Sequence, residues 1–147
     1  MARIKNALTE HYVADIPADG LTEPDYMLLA KWISTVNDDS DEETESMGFY
    51  HGDGTKETDV IGVTKTWTFE GMYDDDDPAM KFVASKEFEV GEARKVMYKQ
   101  IRTNGDTLEG EATLTAIKVT GGEATEYATF ECALSWDKKP TITPVTP

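Results

Sequence analysis

Alternation of apolar and polar residues in the second half of the chain predicts β-strands. From Val60 onward the period is close to two, so alternate side chains fall on opposite faces of a strand. One face carries Ile61, Val63, Trp67 and Phe69, and the other carries Thr64, Thr66, Thr68 and Glu70. Near the end of the chain, a second alternating row predicts inward-facing positions in the last strand: Ala128, Phe130, Cys132, Leu134 and Trp136.

Turn residues separate these strands, and one segment between two turns has the pattern of a short helix. Asp77 before Pro78 is typical of a helix start. The helix is predicted over Ala79–Phe88, with an apolar stripe of Met80, Val83 and Ala84, and Gly91 is expected to break the pattern.

Two glycine turns predict two hairpins. Asn104-Gly105 is a strong hairpin turn after a strand over Lys95–Arg102. Gly121-Gly122 is expected to join strands over Ala112–Thr120 and Thr125–Trp136.

The ends of the chain show weaker patterns. Residues 1–25 are predicted to be an N-terminal arm with a short strand over Tyr12–Ala14. A helical turn over Tyr26–Leu29 and a strand over Ala30–Val36 are expected to follow. The last segment, Asp137–Pro147, holds three of the six prolines and is predicted to be a tail without ladder hydrogen bonds.

These elements predict one mainly β domain over residues 1–147. About six short strands, two hairpins and one helix indicate an antiparallel β-sandwich or barrel with a short flanking α-helix and extended termini.

The segment Asn37–Asp59 differs from the rest in composition. It is rich in acidic residues, has Lys56 as its one basic residue, and surrounds the aromatic and glycine cluster 48–54. The acids are Asp38, Asp39, Asp41, Glu42, Glu43, Glu45, Asp53, Glu57 and Asp59. A long loop without secondary structure in a small domain is usually functional or mobile, so this segment is predicted to be a long acidic loop that orders on docking.

Composition narrows the function classes. The chain has 147 residues, 39% hydrophobic and 10% aromatic, which is too apolar for a disordered protein. Its 14 Lys and Arg against 29 Asp and Glu give a net charge of −15, which disfavours binding to nucleic acid or to anionic membranes. No signal peptide or membrane-spanning run is visible, so synthesis in the cytoplasm is expected.

Candidate catalytic and metal-binding chemistry is sparse. Cys132 alternates with core residues, which favours a buried hydrophobe over a nucleophile. His11 and His51, the two histidines, are expected to be exposed polar residues. The Asp38–Glu43 run lacks the glycine and the final glutamate of a calcium loop, and no catalytic motif occurs, so no catalytic residue, metal site or cofactor is assigned.

The aromatic residues divide into two groups. Trp67 and Phe69 share a strand face with apolar residues and are expected in the core. Phe49 and Tyr50 lie in the acidic segment without a period that would bury them, which favours a partner surface.

Several segments resemble, in order, the major tail tube proteins of long-tailed, non-contractile bacteriophages. The early segments are Lys5-Asn6-Ala7-Leu8-Thr9, Glu42-Glu43-Thr44-Glu45, Tyr50-His51-Gly52-Asp53-Gly54-Thr55 and Glu57-Thr58. The later ones are Trp67-Thr68-Phe69-Glu70-Gly71, Tyr73-Asp74, Asp77-Pro78-Ala79, Lys81-Phe82, Gly121-Gly122 and Thr129-Phe130-Glu131-Cys132. The tail Asp137–Pro147 and the arm beyond Thr9 fit least.

The resemblance implies a structural virion protein. It implies a β-sandwich subunit with a flanking helix, assembled as hexameric rings stacked into a tube through which DNA passes during ejection, without specific binding. Partners implied are further copies of the chain and the tape-measure, tail-tip and tail-terminator proteins. The net charge suits a conduit that repels phosphates, although solubility alone is an alternative explanation.

Ring stacking assigns a candidate subunit interface. An acidic loop with two aromatics is expected to dock on another subunit, and the least acidic stretch, Lys86–Arg102, is a complementary surface. The candidate interface residues are Glu42, Glu43, Thr44, Glu45, Phe49, Tyr50, Asp53, Arg94 and Lys95.

Three alternatives stay open at this point. One is the tube protein of a contractile tail or a secretion-type injection system. Another is a binding module for carbohydrate or cations, for which an exposed Trp32 or Tyr50 would be typical. An enzyme is the least favoured class.

Overall fold

Runs of β-branched and aromatic residues between turn residues form strands throughout the chain. The computed structural model describes residues 3, 5–17, 24–48, 50 and 52–144, without the side chain of Asn6. Within these residues the strands are β1 (Glu10–Ala14), β2 (Met27–Leu28), β3 (Ile33–Asp38), β4 (Asp41–Met47), β5 (Glu57–Thr64), β6 (Thr66–Met72), β7 (Lys95–Ile101), β8 (Thr107–Lys118), β9 (Thr129–Trp136) and β10 (Thr141–Thr143). Helix α1 spans Pro78–Ala84, and 3-10 turns span Asn6–Leu8 and Gly91–Arg94.

Eight of these strands form one antiparallel sheet in the described part of the chain. Its order is β2-β1-β7-β8-β9-β6-β3, with β10 beside β8. The sheet curls into a half-barrel, so its two edge strands, β2 and β3, lie at the ends of the curl. Strands β4 and β5 pair only with each other and form a separate two-stranded hairpin.

The core lies between one face of the curled sheet and helix α1. Its largest fully buried side chains include Tyr98, Phe69, Phe130, Leu29, Met80, Leu114 and Leu134. Asp77 caps the helix, because its Oδ2 accepts a hydrogen bond of 3.3 Å from the N–H of Met80. Pro78 at the first helical position needs no hydrogen-bond partner for its nitrogen.

The predicted fold class is confirmed, and so are its best-marked elements. The protein is mainly antiparallel β with one short helix. The row Phe130, Cys132, Leu134 and Trp136 is buried on one face of β9. At the turn between β7 and β8, Gly105 has a φ of 96°, which glycine adopts at little cost. The helix ends at Ala84, earlier than predicted, and Phe88 is 90% exposed.

The prediction that Ile61 and Val63 share a buried face with Trp67 and Phe69 is wrong. The chain passes from the separate hairpin into the large sheet at Lys65, so β5 pairs with β4 whereas β6 pairs with β9. Phe69 is fully buried in the core, but Ile61 and Val63 are each 56% exposed on the hairpin.

The predicted helical turn over Tyr26–Leu29 is also wrong. Met27 and Leu28 pair with β1 as a short edge strand. Strand β3 begins at Ile33, later than predicted, because Trp32 adopts a φ of 66° in the preceding turn. Gly71 makes this turn possible, since a Cβ there would lie 2.1 Å from the Trp32 carbonyl oxygen.

The predicted tail has ladder hydrogen bonds. After a break that contains Pro140, the chain continues beside β8, where Thr141–Thr143 pairs with Thr107–Glu109. The strand fits because the three residues between Pro140 and Pro144 all keep their backbone N–H groups.

The acidic segment is not a loop without secondary structure. Asp41–Met47 and Glu57–Thr64 pair along their whole length, so most of the segment is a β-hairpin. Threonine in both strands and the β-branched Val60, Ile61 and Val63 in β5 favour this pairing, although the run of acids hides it in the sequence.

Candidate subunit interface

The hairpin of β4 and β5 has a register that is shifted by one residue near its middle. Glu43 pairs with Gly62, and the next residue, Thr44, pairs with Val60. Ile61 is therefore the extra residue of a β-bulge. The bulge places Val60 and Val63, which are three positions apart, on the same face of the hairpin.

As a result the hairpin has two chemically different faces. The valine face carries Glu42, Thr44, Ser46, Thr58, Val60 and Val63. The acidic face carries Asp41, Glu43, Glu45, Met47, Glu57 and Asp59. The hydroxyl oxygens of Ser46 and Thr58 lie 2.9 Å apart across the valine face, consistent with this assignment. A strand pair with one mainly apolar and hydroxyl face, on which Glu42 is the one carboxylate, and one mainly acidic face suits a docking element with one buried face.

Almost the whole hairpin is open to solvent. Every residue of β4 and β5 except Gly62 is exposed, and Val60, Ile61 and Val63 are 55%, 56% and 56% exposed. An isolated two-stranded hairpin is only marginally stable in water, and contiguous exposed apolar residues usually mark an interaction surface. The geometry therefore supports a covering partner.

The candidate residues of the acidic segment lie along this hairpin. Glu42 and Thr44 are on the valine face, and Glu43 and Glu45 are on the acidic face. Tyr50, at the tip, has a relative exposure of 110%, so its side chain has no shelter within the chain. Phe49 lies outside the described residues.

Asp53 has a local structural role at the same tip. Its Oδ1 accepts a hydrogen bond of 2.9 Å from the N–H of Thr55. Hydrogen bonding to Thr55 lowers the pKa of the Asp53 carboxyl, so the tip carries a negative charge at neutral pH.

Arg94 and Lys95 lie away from the hairpin and are held by partners within the chain. Arg94 donates hydrogen bonds to the carbonyl oxygens of Glu87 and Glu89, each over 2.8 Å, and to that of Leu114 over 3.3 Å. It therefore fixes the loop after α1 against the sheet.

Lys95 forms an ion pair of 3.0 Å with Asp137 and donates to Thr113 Oγ1 over 2.7 Å. The hydrogen bond to Asp137 raises the pKa of the Lys95 ammonium. The structure does not bring Arg94 and Lys95 together with the hairpin residues.

A cavity of about 630 Å³ lies between the ends of the curled sheet, and the sequence predicts no binding site there. Strand β3 forms one side, and β1 with the end of β7 forms the other. Its polar lining includes His11, Trp67, Gln100 and Arg102. Sequence patterns could not reveal it, because strands far apart in the chain bring these residues together.

His11 is buried, which contradicts the expected exposed position. Its side chain is 8% exposed, and Nδ1 lies 2.7 Å from the hydroxyl of Tyr98. Burial lowers the pKa of His11 to about 4, because the charged form loses its hydration. The imidazole is therefore neutral at pH 7. His51 lies outside the described residues.

Cys132 occupies the core as the alternation predicts. The thiol is fully buried, and burial raises its pKa far above the usual range, so it is not a ready nucleophile. Among the described residues, no three His, Cys, Asp or Glu side chains are grouped so that they could hold a metal ion. None of the helices in that part of the chain has the length and hydrophobicity that crossing a bilayer requires.

No protein-family model matches the sequence, and no match was found among curated proteins. Solved structures do share its fold. A chain from the tail of an empty gene transfer agent (GTA) particle, refined with C6 symmetry, has a TM-score of 0.70 at 12% identity, covering 98% of this chain and 100% of that one. A chain from the virion of a native GTA particle has a TM-score of 0.63 at 14% identity, over 90% and 95% of the two chains.

Contractile systems share the fold as well. A chain from the sheath-tube complex of an extracellular contractile injection system has a TM-score of 0.56 at 14% identity, over 97% of this chain and 93% of that one. The protein thus has a fold found in chains from tail and tube assemblies, along almost its full length.

Proposed function

We propose that this chain is a tail tube subunit, a structural virion protein that assembles into hexameric rings stacked into a tube. The observation that carries the proposal is the fold shared over 98% of the chain with a chain from a tail of C6 symmetry. In this account the chain has no enzymatic role, is made in the host cytoplasm and resides in the virion tail.

The hairpin supplies the contact between copies. Its valine face exposes apolar side chains that the chain itself leaves uncovered. Burying a valine side chain of this kind contributes about 1.5–3 kcal/mol, so a few such residues on each copy stabilise a repeating contact. A heterologous contact between neighbouring subunits closes a ring when it repeats around an axis. The same type of contact between rings extends the rings into a tube when it repeats along that axis.

The open face of the large sheet, opposite the core, is the face we assign to the channel. Its charged strand residues among those described are Glu10, Glu70, Glu109, Glu111, Glu131, Lys95, Lys99 and Lys118. Five carboxylates against three lysines leave this face weakly acidic, and Lys118 is held by Glu131 at 3.1 Å. Such a wall repels phosphates weakly, which suits passage of DNA without binding.

The finer assignment is a non-contractile tail, in which tape-measure, tail-tip and tail-terminator proteins are further partners. What supports it is that the TM-scores of 0.70 and 0.63 belong to chains from the tail of an empty GTA particle and from a GTA virion. A tube within a contractile system is the second candidate, favoured by the TM-score of 0.56 to a chain from a sheath-tube complex.

Sedimentation velocity on the purified protein tests self-assembly. We expect large species to grow with protein concentration and with salt, since salt screens repulsion between subunits of charge −15 beyond a Debye length of about 8 Å. A protein that stays monomeric at every salt and protein concentration would contradict the proposal.

A matched pair of variants locates the contact. Val60→Asp together with Val63→Asp places two charges on the valine face and should abolish the large species. Tyr127→Asp, at a loop residue that is 81% exposed, should leave them unchanged. Equal assembly of both variants would show that the hairpin is not the contact.

A further inference from the structure

A groove of about 410 Å³ lies on the open face of the large sheet, near the edge strand β3. Two apolar side chains, Trp32 and Met72, line it and are 50% and 41% exposed. Its polar lining includes the carboxylates of Glu70 and Glu131. None of these residues belongs to the hairpin of β4 and β5, so the groove is a second uncovered apolar surface.

The backbone holds Trp32 at the groove in a conformation that costs energy. Its φ of 66° lies in the left-handed region, which is uncommon for a bulky residue. The Trp32 carbonyl oxygen accepts a hydrogen bond of 3.0 Å from the N–H of Met72, and the indole Nε1 donates to Asp74 Oδ2 over 2.9 Å. These contacts fix an exposed aromatic ring in place, and strained residues of this kind cluster at ligand-binding sites.

The opposite side of the groove depends on the other strained residue in the described part of the chain. Ala116, with a φ of 53°, lies in a β-bulge of β8, where the register shifts between Thr115 and Lys118. The extra residue places Lys118, instead of Ile117, opposite Glu131, and their side chains form an ion pair of 3.1 Å. Both non-glycine residues with a positive φ among those described therefore position side chains that line this groove.

The carboxylates of the groove leave one negative charge without a partner. Glu70 and Glu131 are directly opposite each other on β6 and β9, where like charges repel. Lys118 pairs with Glu131, whereas Glu70 has no ion-pair partner among the described residues. A cation that enters the groove beside Glu70 would reduce this repulsion.

The groove suits the side chain of an arginine. The apolar surfaces of Trp32 and Met72 can cover the hydrocarbon part of such a side chain, and Glu70 can accept hydrogen bonds from its charged end. Arginine fits better than lysine, because its flat guanidinium stacks on an aromatic face. The Trp32 ring already attracts one cation, since Lys31 Nζ lies 5.8 Å from its centroid while it is paired with Asp74 at 3.4 Å.

We propose that this groove binds an arginine side chain of a partner protein, between the Trp32 ring and the Glu70 carboxylate. The inference rests on the proposed function for one point, the place of the partner. In the proposed tube the open face borders the channel, so the partner is a protein segment that occupies the channel. The same carboxylates disfavour the phosphate backbone of DNA in the groove.

Nuclear magnetic resonance of the isotope-labelled free subunit at low salt tests the groove. The three tryptophans give three indole N–H signals, and Trp32→Phe identifies that of Trp32. We expect N-acetyl-arginine amide to shift the Trp32 signal, with saturation at millimolar concentration, and to leave those of Trp67 and Trp136 in place. N-acetyl-citrulline amide, which has nearly the same shape without the charge, should cause no shift. Equal shifts with both compounds, or no shift with either, would overturn the proposal.

A matched pair of variants tests the carboxylate. Glu70→Gln removes the charge from the groove, and the arginine compound should then bind about two- to fivefold more weakly. Glu111→Gln removes the same charge from the open face of β8, outside the groove lining, and should leave the affinity unchanged. The Trp32 indole signal reports both affinities. An equal loss in the two variants would show that only the net charge matters and would overturn the site.

Other occupants of the groove give different results. A Trp32 signal that shifts with maltose and not with the arginine compound would assign the groove to carbohydrate. A signal that shifts only as the protein concentration rises would assign it to the contact between copies. Either result overturns the proposal.

Failure of the groove and failure of the proposed function are distinguishable. Large species in sedimentation without binding of the arginine compound would overturn the groove and leave the tube subunit intact. Binding of the arginine compound by a protein that never forms large species would support the groove and contradict both the tube subunit and the place of the partner in a channel.

Discussion

His11 and Tyr98 form a buried polar pair within a mainly apolar core. The imidazole lies edge-on against Phe69, with ring centroids 4.9 Å apart, and Tyr98 stacks on Trp136 at 4.8 Å. The hydrogen bond of 2.7 Å between His11 and Tyr98 joins β1 to β7 from within. A protonated imidazole in this position would be a buried charge without a carboxylate partner, which explains the lowered pKa.

We expect the protein to lose stability in acid through His11. Its pKa is about 4 in the folded state against 6.5 in the unfolded chain, so the unfolded state binds the proton first. The contribution is fully present above pH 6.5 and is lost as the pH falls toward 4. Between pH 7 and 4.5 the free energy of unfolding should fall by about 2–3 kcal/mol through this group.

Urea unfolding of the wild type and of His11→Gln at both pH values measures this effect. The variant has no titrating group at this position, so its stability should fall less over the same interval. The same pH dependence in both proteins would show that carboxylates, and not His11, cause the loss.

Gly71 should be the least replaceable glycine of the large sheet. In Gly71→Ala the new Cβ would lie 2.1 Å from the Trp32 carbonyl oxygen and 2.9 Å from Ile33 Cα, so backbone must shift. We expect a loss of about 1–3 kcal/mol in the free energy of unfolding.

Gly62→Ala is the matched control on the hairpin. There a Cβ meets only the Glu43 side chain, at 3.6 Å, and the change should stay within about 0.5 kcal/mol. Chemical denaturation of both variants compares them. Equal stabilities would contradict the close approach of Trp32 to Gly71.

At the scale of elements, some segments could be predicted because their signals are local. Asn104-Gly105 specifies the turn between β7 and β8, and Asp77-Pro78 specifies the start of α1. The hairpin of β4 and β5 could not be predicted in this way. The bulge at Ile61 interrupts the alternation, and strongly acidic strand residues with exposed faces give no apolar period.

The candidate interface was only partly predictable for the same reason. Glu42, Thr44 and Tyr50 do lie on one projecting element, as their shared composition predicted. Arg94 was grouped with them because of its charge, yet three backbone carbonyls hold it elsewhere. Arg94 is far from the hairpin in the sequence, so its hydrogen-bond partners can be identified only from the folded structure.

The hairpin should be protected from hydrogen exchange only after assembly. In the free subunit its backbone hydrogen bonds join two exposed strands, which open at low free-energy cost. In assembled protein the amides of Thr44 and Val60 should exchange much more slowly, whereas those of β9 should be slow in both states. Strong protection of the hairpin in the free subunit would show that it is stable without a partner.

At the scale of the whole molecule, the negative charge is unevenly distributed. It is concentrated on the hairpin and on the turn of Asp74, Asp75, Asp76 and Asp77, whereas the open face of the sheet is close to balance. The net charge gives the total excess of acidic residues but not their position. The strand pairings show which faces of the molecule carry them.

We expect the protein not to bind double-stranded DNA. Phosphate binding requires clustered Lys and Arg, and on the open face Lys118 and Lys95 are each paired with a carboxylate. Fluorescence anisotropy with a labelled duplex, at low and physiological salt, checks this. Micromolar binding that weakens steeply as salt rises would contradict the assignment of this face to a channel.

The fold class was predictable from strand alternation, whereas the sheet order was not. Antiparallel pairing of β1 with β7 joins residues 10–14 to residues 97–101, and no local signal selects that partner. The cavity between the ends of the curled sheet follows from this order, because β1 and β3 line it from the two ends. The order of the strands in the sheet depends on packing between segments that are far apart in the chain. The alternation of apolar and polar residues within each strand carries no information about that packing.

Electron microscopy of concentrated, negatively stained protein tests the tube subunit most directly. The account predicts six-fold rings or stacked tubes with a central channel wide enough for a DNA duplex, and their loss in the Val60→Asp, Val63→Asp variant. Uniform monomers, or filaments without a channel, would contradict it.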